Sequence, residues 1–516
     1  MSKYFAINLG PISTSFSMAR KPREFWAASY MFSFLMECIL EKFDGYKEEW
    51  TLISPYYKKI EEKIEEKIGV GLYPDRCFYL VSKYVTLEAL SKDVNALLDE
   101  VLKDYADKVG LDVNVVRNYF CIMVACEEYA GEPEAIKGLN TTLNYMELNG
   151  VTSNFKISKE ENVYDSVGKY LKRTFYYDEV KREDIIPLID IAFGSKGFKT
   201  GTLEKIAKAK AEKLQYSRQK YVCIVQADGD GMGSIVTSEK MKGHLNDFSK
   251  TLMDFAKDAS KQIEAFGGLP IYAGGDDLLF IVPVIGDEKS AWRDKSVFDL
   301  LEKIDTEYGL VQSDVEARKI EGKTSMSYGV AMIYDKYPLY EAWKTASSML
   351  FEKAKKVKGK NAIAVNLRKS SGSDFEFVFS KGSQIYSKFK GLVQNTPKES
   401  IVSAVAHKVR VNDIFLDTIS KNDEFKELNG RLKAFYKLII DIEDKSEQDK
   451  EYMNLTREVL EEIFKTVVTD RIEAEEKAKK KGGNYDAPND REVIVRHFYS
   501  MLRIAKFIKG EELKDE

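Results

Sequence analysis

The chain has 516 residues, of which 44% are hydrophobic and 31% are charged, and its formal net charge is −4. This length favours about two to four domains, and the composition is typical of a globular protein and excludes an intrinsically disordered one. The slight negative charge excludes a global positive field that would recruit nucleic acid, so any such contact must use local basic patches or another subunit.

The N-terminus, the cysteines and the histidines narrow the class of protein further. The opening residues MSKYFAINLGPISTSF contain no apolar signal-peptide core, and no run of 18 apolar residues occurs, so we expect a cytoplasmic protein without a membrane span. The five cysteines form no C-x-x-C pair, which indicates reduced thiols rather than a disulfide framework or a zinc ribbon. The three histidines are scattered and form no metallohydrolase motif.

Residues 1–163 are predicted to form a degenerate palm-like domain. Three segments have the periodicity of a strand, a long helix and a later strand: YFAINLG, SFSMARKPREFWAASYMFSFLMECILEKF and RNYFCIMVAC. Leu9 and Gly10 end the first strand where a stronger copy of the pattern, later in the chain, has Asp228 and Gly229. Because the acidic residue is missing, we expect no catalytic residues of this kind in the first domain.

Residues 164–215 are predicted to be a helical connecting region, and residues 216–368 a catalytic palm domain. The second region has the periodicity of a strand, a helix, a β-hairpin, a helix, a strand, a helix and a last strand. Its segments are YVCIVQA, NDFSKTLMDFAKDASKQIEAFGG, LPIYA with LLFIVPV, SVFDLLEKIDTEYG, SMSYGVAMIY, PLYEAWKTASSMLFEKAKKVKG and NAIAVNL. This order predicts a ferredoxin-like sheet in which the hairpin strands flank the first strand.

Residues 369–516 are predicted to form an α-helical domain, because they are polar, helix-rich and almost free of β-branched runs. The predicted fold class is therefore α+β. It comprises two ferredoxin-like palm domains, the first of them degenerate, followed by the α-helical domain.

Two acidic motifs fall at one end of the predicted catalytic sheet. ADGDGMG puts Asp228 at the end of the first strand, and YAGGDDLLF puts Asp276 and Asp277 in the hairpin turn. We expect the three carboxylates to converge, and such a cluster repels itself unless a divalent cation neutralises it. Oxygen ligands suit Mg²⁺ or Mn²⁺, and two such ions can activate a 3′-hydroxyl and stabilise a leaving pyrophosphate.

The glycines beside these aspartates have a second use, because a backbone without side chains lets nucleotide phosphates approach closely. A hairpin turn that uses Gly and Asp only for its backbone geometry is the competing interpretation. The matching ADGDGMG motif about 45 residues earlier makes it the less favoured one. Two further residues stay open. Lys355 either reaches a phosphate or is a solvated lysine, and Ser327 either lines the pocket or, as we favour, faces a neighbouring strand.

The motifs resemble a known family. ADGDGMG, YAGGDDLLF, SMSYGVA and PLYEAWKTASSMLFEKAKKVKGKNAIAV resemble the polymerase-like, GGDEF- and cyclase-like palm in the large subunit of type III CRISPR effector complexes. INLGPISTSFSMARKPREFWAASYMFSFLM and GLYPDRCFYL resemble the first palm of its Cmr-type branch. The resemblance spans roughly residues 1–368 and implies a complex with other effector subunits and a guide RNA. There, binding of target RNA switches on nucleotide synthesis from ATP.

The resemblance also implies roles for single residues. Those implied as metal and catalytic ligands are Asp228, Asp276 and Asp277. Those implied to shape the nucleotide site are Gly229, Asp230, Gly274 and Gly275. The first palm is implied to supply a facing acceptor pocket.

The resemblance leaves two points to be tested. Many relatives begin with an HD nuclease domain, whereas this sequence starts at the first palm and has no His-Asp dyad, so we expect no DNase activity. The implied product is cyclic oligoadenylate or, as in some HD-lacking Cmr-type members, AMP joined to S-adenosylmethionine. The alternatives are a stand-alone diguanylate cyclase-like enzyme, disfavoured by Asp-Asp-Leu in the turn, and a non-catalytic scaffold subunit.

Overall fold

The computed structural model describes residues 1–46, 48–58, 70–81, 86–110, 112–148, 202–211, 213–395, 401–420, 427–437, 446–480 and 490–510. Within these ranges lie a four-stranded sheet, a six-stranded sheet and a group of C-terminal helices. Among the described helices, none has the length and hydropathy that crossing a membrane would require.

The first sheet has the ferredoxin-like strand order β2-β3-β1-β4, and each pair of neighbours is antiparallel. Its strands are β1 (Ser2–Gly10), β2 (Trp50–Ser54), β3 (Arg76–Val81) and β4 (Cys121–Tyr129). Its helices are α1 (Ile12–Met18), α2 (Pro22–Phe43), α3 (Leu87–Val109), α4 (Val113–Tyr119) and α5 (Glu132–Leu148). The predicted palm-like topology of the first domain is therefore confirmed. We call the described residues from 1 to 148 the first unit.

Two features of the first unit follow directly from its sequence. The single long helix that was predicted is broken, because α1 ends at Met18 and α2 starts at Pro22, whose ring suits a first helical turn. Alternate residues of β1 face opposite sides of the sheet. Phe5 and Ile7 share a core with α2 and α3, whereas Tyr4 shares a core with α5.

Most of the predicted connecting region 164–215 lies outside the described residues. Its described part, residues 202–211 and 213–215, contains the short helix α6 (Leu203–Ala207). The side chain of Thr202 caps this helix by accepting a hydrogen bond from the backbone N–H of Lys205. The boundaries of the connecting region stay predictions.

The second sheet has the order β10-β9-β8-β5-β7-β6, in which β8 and β9 are parallel and the other neighbours antiparallel. Its strands are β5 (Tyr221–Gly229), β6 (Leu269–Gly274), β7 (Asp277–Pro283), β8 (Met326–Tyr334), β9 (Ala362–Arg368) and β10 (Asp374–Ser380). Its helices are α7 (Met232–Val236), α8 (Leu245–Ala265), α9 (Val297–Ala317) and α10 (Leu339–Ser348). The order β6-β7-β5-β8 confirms the predicted ferredoxin-like sheet. We call residues 213–380 the second unit.

Two predictions about the second sheet were wrong in detail. Of the two hairpin strands, only β7 pairs with β5, whereas β6 lies at the edge of the sheet, so the hairpin strands do not flank the first strand. Residues from 369 were predicted to be helical, yet Asp374–Ser380 forms β10. Every second residue of this strand is a phenylalanine rather than a β-branched residue. Phe375, Phe377 and Phe379 are all buried on one face of the sheet.

The predicted C-terminal helices follow β10. They are α11 (Gln384–Asn395), α12 (Ile401–Val411), α13 (Asp413–Ser420), α14 (Leu428–Phe435), α15 (Glu447–Lys480) and α16 (Asp490–Lys509). Helix α16 packs against β10, and α11 packs against α15 and α16. The helical prediction is therefore confirmed for these segments.

The two units touch beside the hairpin of the second sheet. Gly71 forms a parallel bridge to Tyr272 of β6, and its carbonyl oxygen accepts a hydrogen bond of 3.2 Å from the backbone N–H of Ala273. Tyr73 donates its backbone N–H to the hydroxyl of Ser33 on α2 at 2.9 Å. These contacts bring the segment 70–75 of the first unit against the motif that carries the paired aspartates.

Candidate functional site

The strand register brings the two acidic motifs together. Asp228 lies opposite Ser327 of β8, and on the other side of β5 Ala227 lies opposite Leu278 of β7. Because β7 starts at Asp277, the hairpin turn lies at the end of β5. Gly275 has a φ of 69°, as the first central residue of a type II′ turn requires.

The glycines are needed for packing within the protein. A Cβ on Gly229 would lie 2.5 Å from Oδ2 of Asp276 and 2.9 Å from the hydroxyl of Tyr308. The backbone N–H of Gly229 donates to the carboxylate of Asp276, so this side chain lies directly against the end of β5. A Cβ on Gly274 would clash with the ring of Tyr272, whereas one on Gly275 would meet open space.

The three aspartates expected to be catalytic influence one another electrostatically. Burial, and then the negative charge of Asp228, raises the pKa of Asp276 to about 6. Asp277 is exposed at the tip of the hairpin, yet the crowding around it desolvates its carboxylate, and the charges of Asp276 and Asp228 add to this effect, so its pKa is well above the usual range. Burial also raises the pKa of Asp228, against the opposing charge of Lys355. The site therefore carries negative charge that is only partly compensated.

The chemistry of these side chains fits a hard divalent cation. In the part of the chain that the structure describes, no group of three or more His, Cys, Asp or Glu side chains is arranged to hold a metal ion by itself. Mg²⁺, however, is usually bound through one or two carboxylates together with waters and substrate phosphates. Burial raises the pKa of Asp228 and Asp276, and the charge of Asp228 adds to this at Asp276, so such an ion would stabilise carboxylates whose charged forms are otherwise costly here.

Asp230 points away from the carboxylate cluster and into the protein. It is 3% exposed and accepts hydrogen bonds from the hydroxyls of Ser325 at 2.7 Å and Ser327 at 2.8 Å. It also accepts from Nζ of Lys355 at 2.8 Å and from the backbone N–H of Asn361 at 2.9 Å. Burial alone would raise its pKa, but the hydrogen bonds from Lys355 and Ser325 outweigh burial and hold the pKa below its usual value. Ser327 is likewise buried and does not line a pocket.

Of the two interpretations of Lys355 left open from the sequence, the structure excludes the solvated lysine, and the contact with a phosphate stays a prediction. Its side chain is 11% exposed, so it is not a solvated lysine. Its ammonium group donates to the carbonyl oxygens of Asp228 and Gly229 at 2.8 Å and makes an ion pair of 3.1 Å with Oδ1 of Asp228. Lys355 is therefore turned inward, toward the end of β5.

Sequence reasoning did not identify two side chains that complete the site. Tyr308 of α9 is buried under Gly229, and its hydroxyl lies 2.7 Å from Oγ1 of Thr324. Asp75 of the first unit is close enough for its charge to raise the pKa of Asp277 and of Tyr272. Asp75 belongs to GLYPDRCFYL, but its position beside the second unit depends on the contact at Gly71, which no local pattern reveals.

A polar cluster of the first unit lies next to Asp75. Arg76 donates to the side-chain carbonyls of Asn140 at 2.8 Å and Asn144 at 2.7 Å, and to the carboxylate of Glu147 at 3.3 Å. Asn8, near the end of β1, is fully buried and donates to Glu147 at 3.4 Å. Its Oδ1 atom has no hydrogen-bond partner within the described residues. Leu9 and Gly10 end β1, at the position where β5 ends with Asp228 and Gly229.

Two family models match the chain. Residues 221–364 match the model described as Cas10/Cmr2, second palm domain, and residues 4–107 match the model described as CRISPR-associated protein Cmr2, N-terminal. The CRISPR system Cmr subunit Cmr2 of Pyrococcus furiosus is 27% identical over 232 residues. That alignment covers 40% of this chain and 23% of the relative, so it spans less than a quarter of the relative's length.

Solved structures show the same fold. A chain in the cryo-EM structure of Type III-B Cmr-beta in the apo state matches with a TM-score of 0.53 and 10% identity, over 87% of this chain and 78% of that one. A chain of Type III-B Cmr-beta bound to cognate target RNA matches with a TM-score of 0.53 and 11% identity, over 87% and 80%. The two family models match from β1 into α3 and from β5 into β9, so these two segments are similar to the N-terminal region and the second palm domain of the Cas10/Cmr2 family.

Proposed function

We propose that the chain is a metal-dependent nucleotidyltransferase that uses ATP as its donor substrate. The observation that carries this proposal is the meeting of Asp228, Asp276 and Asp277 at the end of β5, inside the segment that matches the second palm domain of the Cas10/Cmr2 family. Burial raises the pKa of all three carboxyl groups, and the charge of Asp228 raises the pKa of Asp276 and Asp277 further, so a bound cation would stabilise the charged forms of these side chains.

These three aspartates would hold Mg²⁺ or Mn²⁺, which supplies activation of an attacking hydroxyl and neutralisation of the leaving pyrophosphate. The backbone of the chain itself places the carboxylates. Gly229 lets Asp276 lie against the end of β5, and the turn at Gly275 directs Asp277 outward, where a triphosphate can approach. Gly275 faces open space, so of the hairpin glycines it is the one whose missing side chain leaves room for a ligand.

The acceptor would bind on the side of the first unit, next to Asp75 and the polar cluster around Arg76. Two acidic side chains, Asp75 and Glu147, lie in this region, and Arg76 is already bound by Glu147 and two asparagines. This arrangement favours a cationic acceptor over a second triphosphate. S-adenosylmethionine carries a sulfonium and an ammonium group, so AMP joined to S-adenosylmethionine is the product that we favour over cyclic oligoadenylate.

We further propose that the chain works as a subunit of a type III CRISPR complex that contains other effector subunits, a guide RNA and, when active, a target RNA. Support comes from the Cmr subunit of Pyrococcus furiosus and from the fold shared with a chain of Cmr-beta bound to cognate target RNA. On this proposal, target RNA switches nucleotide synthesis on.

The proposal is tested with the assembled complex, labelled ATP and Mg²⁺ or Mn²⁺, with and without target RNA and S-adenosylmethionine. Chromatography is expected to show a labelled conjugate only when target RNA and both nucleotide substrates are present. Cyclic oligoadenylate from ATP alone would overturn the favoured acceptor but keep the nucleotidyltransferase. A product from GTP without RNA would support a stand-alone cyclase, and no product from any of these substrates would support a scaffold.

A further inference from the structure

The lysine-rich run after α10 contributes one side chain to the site. Lys356 is exposed and Lys358 pairs with Glu473 of α15 at 2.7 Å, whereas Lys355 is turned inward. The helix changes its winding just before this residue, with a π-helical turn at Met349–Lys353 and a 3₁₀ turn after it. Such local changes of winding are often found at functional positions, and here they select which lysine faces β5.

The ammonium group of Lys355 has its donors fully used. A lysine ammonium carries three N–H donors. The carbonyl oxygens of Asp228 and Gly229 and Oδ1 of Asp230 accept from it, each at 2.8 Å. All three hydrogen bonds point toward the end of β5, so no donor is left for a phosphate in this arrangement.

Asp230 fixes the other end of this interaction. Its carboxylate joins Lys355 to the hydroxyls of Ser325 and Ser327 and to the backbone N–H of Asn361. The backbone N–H of Asp230 also donates to the carbonyl oxygen of Ser325 at 2.7 Å. Buried charges are stable only when they are paired and hydrogen-bonded, and this pair satisfies both conditions.

We propose that Asp230 and Lys355 form a positioning pair that fixes the last residues of β5, so that the carboxylate of Asp228 faces Asp276, and that neither residue binds the triphosphate. The pair acts through the strand, because Lys355 holds the carbonyl groups of the Asp228–Gly229 and Gly229–Asp230 peptides, and it also lies 3.1 Å from the carboxylate of Asp228. The inference rests on the proposed function insofar as it gives Asp228 a catalytic role.

Substitution of Lys355 separates positioning from phosphate binding. In Lys355→Met, the kcat of the assembled complex is expected to fall at least tenfold. The Kd of the full chain for ATP with Mg²⁺, measured by calorimetry, is expected to stay within twofold of the wild type. Lys355→Arg is not expected to restore kcat, because a planar guanidinium cannot direct three donors at three oxygens that converge on one nitrogen. The exposed neighbour provides the matched control, and Lys356→Met is expected to change neither quantity.

A tenfold weaker Kd for ATP in Lys355→Met, partly restored by Lys355→Arg, would make Lys355 a phosphate ligand and overturn the proposal. The pairing itself is tested with Asp230→Asn and the double variant. If the two residues act only together, removing the second after the first causes no further loss. The kcat of the double variant is therefore expected to match that of the more impaired single variant within twofold. Losses that multiply would contradict the pair.

A structural measurement keeps the inference testable even if the wild type forms no product, which would refute the proposed function alone. Hydrogen–deuterium exchange of the full chain is expected to rise at least fivefold for the amides of Gly229 and Asp230 in Lys355→Met. It is expected to be unchanged in Lys356→Met. Unchanged exchange in Lys355→Met, in a variant with wild-type thermal stability, would overturn the positioning role.

Discussion

Aspartates that lie close together in the second unit have opposite electrostatic environments. Asp276 has a pKa raised to about 6 by burial and by the charge of Asp228. Asp230 is more deeply buried, but Lys355 and Ser325 hold its pKa below the usual value. Groups whose surroundings separate their pKa values in this way tend to have different roles. Here the raised group belongs to the proposed metal site and the lowered one to its support.

Replacing Asp276 and Asp277 together by Asn is expected to reduce product formation by at least about 100-fold. Loss of a residue that only hydrogen-bonds to a metal ligand already costs roughly 10–100-fold in activity, and loss of the ligands themselves should cost more. The melting temperature is expected to stay at or above that of the wild type, because the change removes like charges that repel one another.

The matched control is Asp258→Asn, which removes a carboxylate from the exposed side of α8. It is expected to leave both the rate and the melting temperature unchanged. Product formation at the wild-type rate in the double variant, measured in the assembled complex, would exclude the hairpin aspartates from the chemistry.

At the scale of strands and helices, most of the second unit could be predicted from the sequence. Period-two and helical patterns located β5 to β9 and the helices between them, because those segments have one buried face each. The prediction missed β10 because it relied on β-branched runs, although the alternating phenylalanines of this segment are also typical of a strand. The inward turn of Lys355 could not be predicted, since it depends on the π-helical turn that precedes it.

The aromatic face of β10 is expected to stabilise the second unit. Phe377 is fully buried, and its ring centre lies 5.0 Å from those of Phe379 and Phe389. Phe377→Ala is expected to lower the free energy of unfolding by about 3–5 kcal/mol. The same truncation at Phe351, which is 45% exposed, is expected to cost less than about 1 kcal/mol. Urea unfolding of the two variants checks this, and equal costs would argue against a packed β10.

Helix α16 is expected to lose stability in acid through His497. Burial, and then the charges of Arg496 and Lys353, lowers the pKa of His497 to about 4. The unfolded chain, with a histidine pKa near 6.5, therefore binds more protons between these values, and stability falls as the pH drops from about 6.5 to 4. Because the ring keeps some exposed surface, the effect is at most about 3 kcal/mol.

Replacing His497 by Gln should remove this part of the acid sensitivity, whereas replacing the exposed His407 by Gln should not. The measurement is the difference in urea midpoint between variant and wild type from pH 7 to pH 4. A difference that stays constant over this range would show that His497 is not a source of the acid sensitivity.

At the scale of the whole molecule, two units with the same strand topology contact each other, but they carry different side chains at their equivalent strand ends. The second unit brings the carboxylates of Asp228, Asp276 and Asp277 to its hairpin end. The first unit has Leu9 and Gly10 at the equivalent strand end and offers Asp75 beside a polar cluster. The sequence predicted this asymmetry from the missing aspartate. It could not predict the contact, which depends on Gly71 bridging Tyr272 across about 200 residues of chain.

The meeting of the two units gives the last prediction. Asp75 is half-buried, and its charge acts on Asp277 and Tyr272, so it lies where a cationic acceptor would gain from a carboxylate. Asp75→Asn is expected to weaken the Kd for S-adenosylmethionine about tenfold, by roughly 1.4 kcal/mol, and to leave the Kd for ATP with Mg²⁺ within twofold. Calorimetry on the full chain measures both constants, with Glu134→Gln on the exposed side of α5 as the control that removes a distant carboxylate.

Equal weakening of the binding of both ligands in Asp75→Asn would indicate a general loss of structure. An unchanged Kd for S-adenosylmethionine, or tighter ATP binding in Asp75→Asn, would instead favour a triphosphate acceptor, because removing a negative charge helps only an anionic ligand.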